Sequence, residues 1–196
     1  RIFSDEYFWI AAKNTLYFVV VSLPITLILS LLLAELLNQK VAKFRAFFQA
    51  AYFIPSVTSL VVISLIFTNL YAKDGYLNQL LNLLGLPTSQ RGFLLDPATA
   101  LNSIIAMDIW LSIGYYMMLF LSSMQTISKD LYDSAKINGA NFWQQLRYIT
   151  LPGLRSTIFF VIMLDLIKAF QVFIEIFVMT KGGPMYSTTS IVYYIF

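Results

Sequence analysis

Residues 132–152 read YDSAKINGANFWQQLRYITLP, a polar stretch centred on Gly139 and set between two long apolar segments. Just upstream, Ser128 is a suitable N-cap, and Asp130 puts negative charge in the first turn, where the helix dipole favours it. A short helix is therefore predicted to run to about Asn138. Asn138-Gly139 ends it, because glycine adopts the left-handed backbone at little cost. Asn141 can cap a second helix, with Gln144 three residues on in the position of a capping box. That helix carries Phe142, Leu146 and Ile149 at roughly helical spacing, and Pro152 suits the first turn of the apolar segment that follows. The pattern predicts helix, turn, helix, with an apolar stripe on a polar body. Such a unit fits two roles: docking into a groove on a partner, or lying as an amphipathic hairpin on a lipid surface.

The surrounding chain explains why a polar module is conspicuous. Of its 196 residues 59% are hydrophobic, 16% aromatic and 12% charged, against about 45–50% apolar and about 25% charged in soluble domains. A membrane protein is the class this implies. With no cysteine and no histidine, disulfides, thiolate or imidazole metal sites, haem ligation and Cys or His catalysis are excluded. The Asp and Glu residues form no cluster that suggests a carboxylate-only metal site. A net charge of +3 points to basic loops of a membrane protein rather than to nucleic-acid binding.

A membrane helix needs about 20 apolar residues. Four complete spans are predicted, at about 16–37, 47–70, 99–124 and 156–178, with a fifth beginning near 187 and running to 196. The fold class is all-α, a polytopic transmembrane bundle in a single domain over 1–196. Pro24 and Pro55 lie inside spans and can kink them; Ser22, Thr26, Ser56 and Thr58 are near enough to cover the lost backbone bonds. The loop after span one carries Lys40, Lys43 and Arg45, and the polar module carries Lys129, Lys136, Arg147 and Arg155. The other side has Arg1, Lys13, Lys73, Arg91 and Lys181, diluted by Asp5, Glu6, Asp74 and Asp96. By the positive-inside rule, 128–152 is cytoplasmic and 73–97 faces outward. Trp9, Tyr71 and Tyr76 fall where an interfacial aromatic belt is expected. The chain reads as a piece of a longer protein.

Ionisable residues within a span cost about 2.5–3.5 kcal/mol each and so face the bundle or water. Asp108 lies in span three; Asp165, Lys168 and Glu175 lie in span four, with Gln171 between. Their spacing of three and four places them along one helix face, with Asp165 and Lys168 about 20 Å from the cytoplasmic end. They form either a polar stripe along a translocation path, or an internal Asp165–Lys168 pair plus interhelical hydrogen bonds. Gly114-Tyr115-Tyr116 in span three is a second candidate: tyrosines offer a flat ring and a hydroxyl to a ligand, and Gly114 admits a close neighbour. Packing alone is the alternative.

Asp133-Ser134-Ala135, three residues, Gly139, nine residues, then Ile149, Thr150, Leu151 and Pro152 resembles the EAA loop of ABC-importer permeases, E-A-A-x3-G-x9-I-x-L-P. Asp133 keeps the leading carboxylate on a shorter arm, Ser134 replaces the middle alanine, and Asn138 stands where an acidic residue commonly precedes the glycine. NTLYFVVVSLPITLILSLLLAELLNQK, FFQAAYFIPSVTSLVVISLIF and FQVFIEIFVMTKGGPMYSTTSIVYYIF extend the likeness to the carbohydrate-uptake branch, that of maltose, multiple-sugar and glycerol-phosphate permeases. The resemblance implies a type I ABC importer permease in a bacterial or archaeal inner membrane, one further helix before Arg1 and an incomplete last helix. Residues 128–152 would be the coupling loop, seated in a dimeric cytoplasmic ATPase that binds ATP-Mg; no GxxxxGK[ST] phosphate loop occurs here. A second permease subunit, an external solute-binding protein and a carbohydrate, an oligosaccharide on this reading, complete the implied assembly; 73–97 and 181–186 are either the contact surface of the binding protein or plain connectors. A glycerol-phosphate or acidic sugar is the alternative cargo, Lys168 then pairing with the anion. Two other classes compete: an enzyme acting on lipid-linked substrates, for which no DxxxD set is seen, and an ion-coupled carrier using Asp108 and Asp165.

Overall fold

A computed structural model describes residues 5–38 and 45–196, the side chain of Arg45 excepted. Arg1, Lys40 and Lys43, which enter the charge count, lie outside the described residues. Those residues form α1 (Glu6–Asn38), α2 (Arg45–Val57), α3 (Leu60–Leu70), α4 (Tyr76–Leu83) and α5 (Ala100–Met124). Then follow α6 (Lys129–Ile137), α7 (Phe142–Gln145), a π-helical turn (Leu146–Thr150), α8 (Leu151–Gly153), α9 (Arg155–Phe170), α10 (Ile174–Met179) and α11 (Ile191–Ile195). No strand occurs among the described residues.

Helix α5 is the axis: 72% of its apolar window is buried, against 28% in α1 and 22% in α9–α10. Helices α1, α2 and α9 pack around it. Its N-terminal half, with Ile104, Met107 and Leu111, joins Phe18, Ile63 and Ile176 in one apolar cluster. Its C-terminal half, with Met117, Phe120 and Met124, joins Ala34, Leu154 and Val161 in a second. On α1 the buried positions run Ala11, Thr15, Phe18, Ser22, Thr26, Ser30 and Ala34. Small side chains at that spacing bring helix backbones close, the main source of cohesion where lipid removes the hydrophobic difference.

Among the described residues three helices are long and apolar enough to cross a membrane, or four if α2 and α3 count as one bent span. The second span, expected at about 47–70 with a possible kink at Pro55, is bent much more sharply than a proline kink: α2 and α3 meet at 98°. Three residues past Pro55 the carbonyls find other donors. Thr58 Oγ1 donates to Ile54 O at 2.8 Å and Ser56 Oγ to Phe53 O at 2.7 Å, while Thr58 N–H reaches only Pro55 O. With these groups satisfied the helix can end within a bundle. Pro24 leaves α1 unbroken over Glu6–Asn38. There the expected helpers do not act, since the buried Ser22 and Thr26 hydroxyls have no hydrogen-bond partner.

The fourth span also differs from its expectation. It steps through an irregular segment at 171–173, where Phe173 has φ −145° and ψ −54°. Ser190 Oγ donates to the freed Val172 O at 2.8 Å. Beyond α10, residues 180–190 are bound to α1: Asn14 Nδ2 donates to Tyr186 O and Thr189 O, and Thr15 Oγ1 accepts from Ile191 N–H. Tyr71, expected in an interfacial belt, is instead 6% exposed. Its ring packs on Phe67 and Phe93, and its carbonyl accepts from Phe93 N–H.

Gly114 marks where α5 meets α2. A Cβ there would overlap the carbonyl of Tyr52, so α2 must move to accept it. Overpacking of this kind costs about 1–3 kcal/mol. Gly114→Ala is expected to lower the thermal midpoint of the detergent-solubilised full-length protein; an unchanged midpoint would contradict the close α2–α5 approach.

Candidate functional site

The polar module folds as its residues dictate. Ser128 Oγ accepts from Asp130 N–H and caps α6. Gly139 ends that helix at φ +76°, with Gly139 N–H on Lys136 O and Ala140 N–H on Ala135 O. The Asn141–Gln144 capping box forms in full: Gln144 N–H donates to Asn141 Oδ1 at 2.9 Å, and Asn141 N–H to Gln144 Oε1 at 2.8 Å. Pro152 sits in the first turn of α8. From Asn141 to Phe170 the chain is helical apart from adjustments at the π turn and at Leu154.

The module's stripe requires a correction. Leu146 is buried and Phe142 and Ile149 are half-buried, so these three pack inward. The apolar side chains that face out are Leu131, Ile137, Trp143 and Tyr148, between 54% and 87% exposed. The anchoring polar groups decide this. Thr150 is wholly buried and its hydroxyl meets Tyr132 at 3.0 Å, which turns the Leu146 face toward the bundle. Helix α6 has no buried residue. Asp133, Ser134 and Gly139 are exposed and Ala135 half-buried, while Leu151 is half-buried at the exit. The ends of the module touch each other: a Cβ on Gly153 would come within 2.7 Å of Ile127 Cδ1. Nearby, the Ser123 and Thr157 hydroxyls join α5 to α9 at 2.7 Å.

The second candidate lies around the break in the fourth span. Lys168 Nζ makes an ion pair with Asp108 at 2.5 Å and donates to Ser112 Oγ. The internal Asp165–Lys168 pair is therefore not what forms; the lysine crosses to α5. Asp165 is buried and faces the Tyr116 hydroxyl instead. Glu175 is buried at the start of α10, where its carboxylate accepts from its own N–H and that of Phe173. An open groove of about 270 Å³ lies at the break, lined by Lys168, Gln171, Phe173 and Glu175 with Leu60 and Ile167. Asp108, Lys168, Gln171 and Glu175 are thus brought together, and Asp165 with Tyr116 lies beside them. Gly114 and Tyr115 are not part of this groove: Gly114 serves the α2 contact, and Tyr115 is 44% exposed.

Sequence reasoning missed Ser112, Tyr132, Thr150 and Glu35. Glu35 is an acid within a span, 3% exposed, and intramembrane charge was the signal that could have found it. Ser112 stands four residues after Asp108, on the same face.

The groove's ion pair is open to measurement. Lys168 is 37% exposed and Asp108 5%, so removing the lysine strands a buried carboxylate. Lys168→Met is expected to cost about 2 kcal/mol, between the values for surface and fully buried pairs. Lys168→Met/Asp108→Leu is expected to recover much of it, both read as thermal midpoints in detergent.

Residues 13–196 match the family model described as binding-protein-dependent transport system inner membrane component. Among curated relatives, the lactose transport system permease LacF of Rhizobium radiobacter is 34% identical over 198 residues, covering 100% of this chain and 66% of that protein. The trehalose/maltose transport system permease MalF of Thermococcus litoralis is 33% identical over 192 residues, 97% of this chain and 64% of that one. The crystal structure of a bacterial alginate ABC transporter, in complex with an alginate pentasaccharide-bound periplasmic protein, superposes with a TM-score of 0.87 at 28% identity. It covers 99% of this chain and 67% of that chain. The chain spans 64–66% of the length of the first curated relatives it matches.

Proposed function

The chain belongs to the family of binding-protein-dependent transport system inner membrane components, and we propose that it is a membrane-spanning permease subunit of an ATP-driven importer for a carbohydrate. One observation carries this: a capped, rigid two-helix module that projects exposed apolar side chains from the bundle and runs almost without interruption into a membrane-length helix. A unit of that shape transmits force better than it seals a lipid surface. Leu131, Ile137, Trp143 and Tyr148 are the anchors it offers to a partner's groove. The partner is a dimeric cytoplasmic ATPase, which holds ATP-Mg; this chain hydrolyses nothing, and 128–152 lies on the cytoplasmic side.

A second, related permease subunit completes the pathway, and an external solute-binding protein delivers the cargo to the side bearing 73–97 and 181–186. Asp108, Lys168, Gln171 and Glu175 line or border the path on this chain's side. The neutralised Lys168 favours a neutral oligosaccharide over an anionic cargo, because an anion would have to displace Asp108 from a 2.5 Å contact. The relatives named for lactose and trehalose/maltose transport support a carbohydrate cargo, as does the alginate importer; alginate is an acidic polysaccharide, so that likeness supports the carbohydrate class and not its neutrality.

Residues 1–196 contain no cysteine, and for the test any cysteine elsewhere in the full-length protein is first replaced by serine. In the full-length protein, Ala135→Cys is expected to crosslink to a single cysteine in the cleft of a co-expressed ATPase, with a yield that changes on adding Mg-ATP. An assembled complex with no crosslink at Ala135 or its neighbours would return the module to the role of a surface hairpin.

A further inference from the structure

Three elements meet under the module through a line of oxygen atoms. Tyr132 is on α6, one residue before Asp133. Thr150 ends the π-helical turn and is 0% exposed. Glu35, 3% exposed, is near the end of α1. Thr150 Oγ1 lies 3.0 Å from Tyr132 Oη and 3.5 Å from Glu35 Oε2, to which it donates. A threonine hydroxyl has one proton. With that proton directed at Glu35, Tyr132 supplies the other bond, and the order is Tyr132 to Thr150 to Glu35. Each bond polarises the next. Burial pushes the Tyr132 phenol above its ordinary value; the bond to Thr150 opposes the rise and the Glu35 carboxylate adds to it. Tyr132 therefore stays a proton donor at neutral pH.

Stability alone does not call for such a line. Apolar side chains of similar volume would fill the same space without the desolvation cost of a carboxylate and two hydroxyls. What the polar groups add is direction, since hydrogen bonds fix relative position where apolar contacts slide. The π turn adds to this. One residue inserted into the helical register rotates Thr150 toward α1, whereas Arg147 and Tyr148 in the same turn are exposed.

We propose that Tyr132, Thr150 and Glu35 form a positioning relay that fastens the module to α1, so that displacement of the module moves α1 together with α9. The inference rests on the reading of the module as the ATPase contact. Helix α9 is joined to the module by the chain itself. Helix α1 is joined to it by no chain that short, and it borders α5, α9 and α11. Packing against α9 and α5 passes some of the stroke to α1, and the relay adds a directional link between α1 and the module itself.

The test uses the complete importer, with Mg-ATP as the probe and single cysteines as reporters. Leu16→Cys reports α1, about 28 Å along the helix from Glu35; Phe159→Cys reports α9. Both side chains are more than half exposed. With a nitroxide attached to either reporter cysteine in an otherwise wild-type chain, the electron paramagnetic resonance spectra of both are expected to change on adding Mg-ATP. With Thr150→Val the Leu16→Cys response is expected to fall about fivefold, within the range for residues that carry coupling. The Phe159→Cys response and the Ala135→Cys crosslink persist, and Thr150→Ser restores α1. If the α1 reporter never responds, or responds equally with Thr150→Val, the relay is overturned while the ATPase contact stands. If Ala135→Cys does not crosslink in the wild-type background, the ATPase contact itself fails and the relay with it. Should Thr150→Val not accumulate, Tyr132→Phe at its half-buried site has the same two outcomes.

Discussion

A charge inside a membrane bundle must be answered by a counter-charge or by hydrogen bonds, and for Lys168 the answer comes from a different helix. Lys168 on α9 reaches past its own neighbour Asp165 to Asp108 and Ser112 on α5. That choice governs much else. It draws α9 against the most buried helix of the molecule, it frees Asp165 to face Tyr116, and it sets the rotation of the segment that breaks three residues later. Asp108 lies in the N-terminal half of α5 and Tyr116 begins the cluster of its C-terminal half, so these polar contacts fall near the changeover between the two apolar clusters. Each cluster holds the helices together by shape; the ion pair fixes which faces meet.

The helix breaks obey a related constraint. Irregular backbone at membrane depth survives only when every released carbonyl and N–H finds a partner. At 58–59 the partners are the hydroxyls of Ser56 and Thr58. At 171–173 they are the Ser190 hydroxyl and the Glu175 carboxylate, both from side chains that look out of place in a hydropathy profile. Glu175 therefore has a structural task even though it borders the groove. A break satisfied in this way leaves room beside it, and the groove over Lys168 and Gln171 is that room.

Local chemistry was the legible part of the sequence. The Ser128 cap, the Gly139 stop, the Asn141–Gln144 box and the first-turn Pro152 all act as their spacing predicts, because each is decided within four residues. The extent of α5 was legible for a similar reason, a long apolar run with polar flanks. What was hidden depends on partners far along the chain. Nothing local says that Lys168 prefers Asp108, 60 residues away, to Asp165. Nothing local says that Tyr71 turns inward onto Phe93, or that Pro55 ends a helix where Pro24 does not. The face of the module was misread for the same reason. Phe142, Leu146 and Ile149 were the obvious stripe, but Thr150 is held toward Tyr132, and that contact turns the stripe inward.

The inward stripe and the outward anchors give the module two apolar faces with different duties. A helical hairpin resting on lipid needs one apolar face and one polar face. This module buries Leu146 against its own bundle and still exposes Leu131, Ile137, Trp143 and Tyr148. The exposed four are spread over both of its helices, on either side of Gly139, so they cover a patch with the dimensions of a two-helix surface rather than a single line. Their neighbours Asp133, Lys136 and Arg147 carry both signs of charge, which favours a protein groove of mixed polarity over an anionic lipid surface. One face packed on the bundle and a second, exposed apolar face, joined in one short capped unit, are what the proposed transmission of a displacement requires.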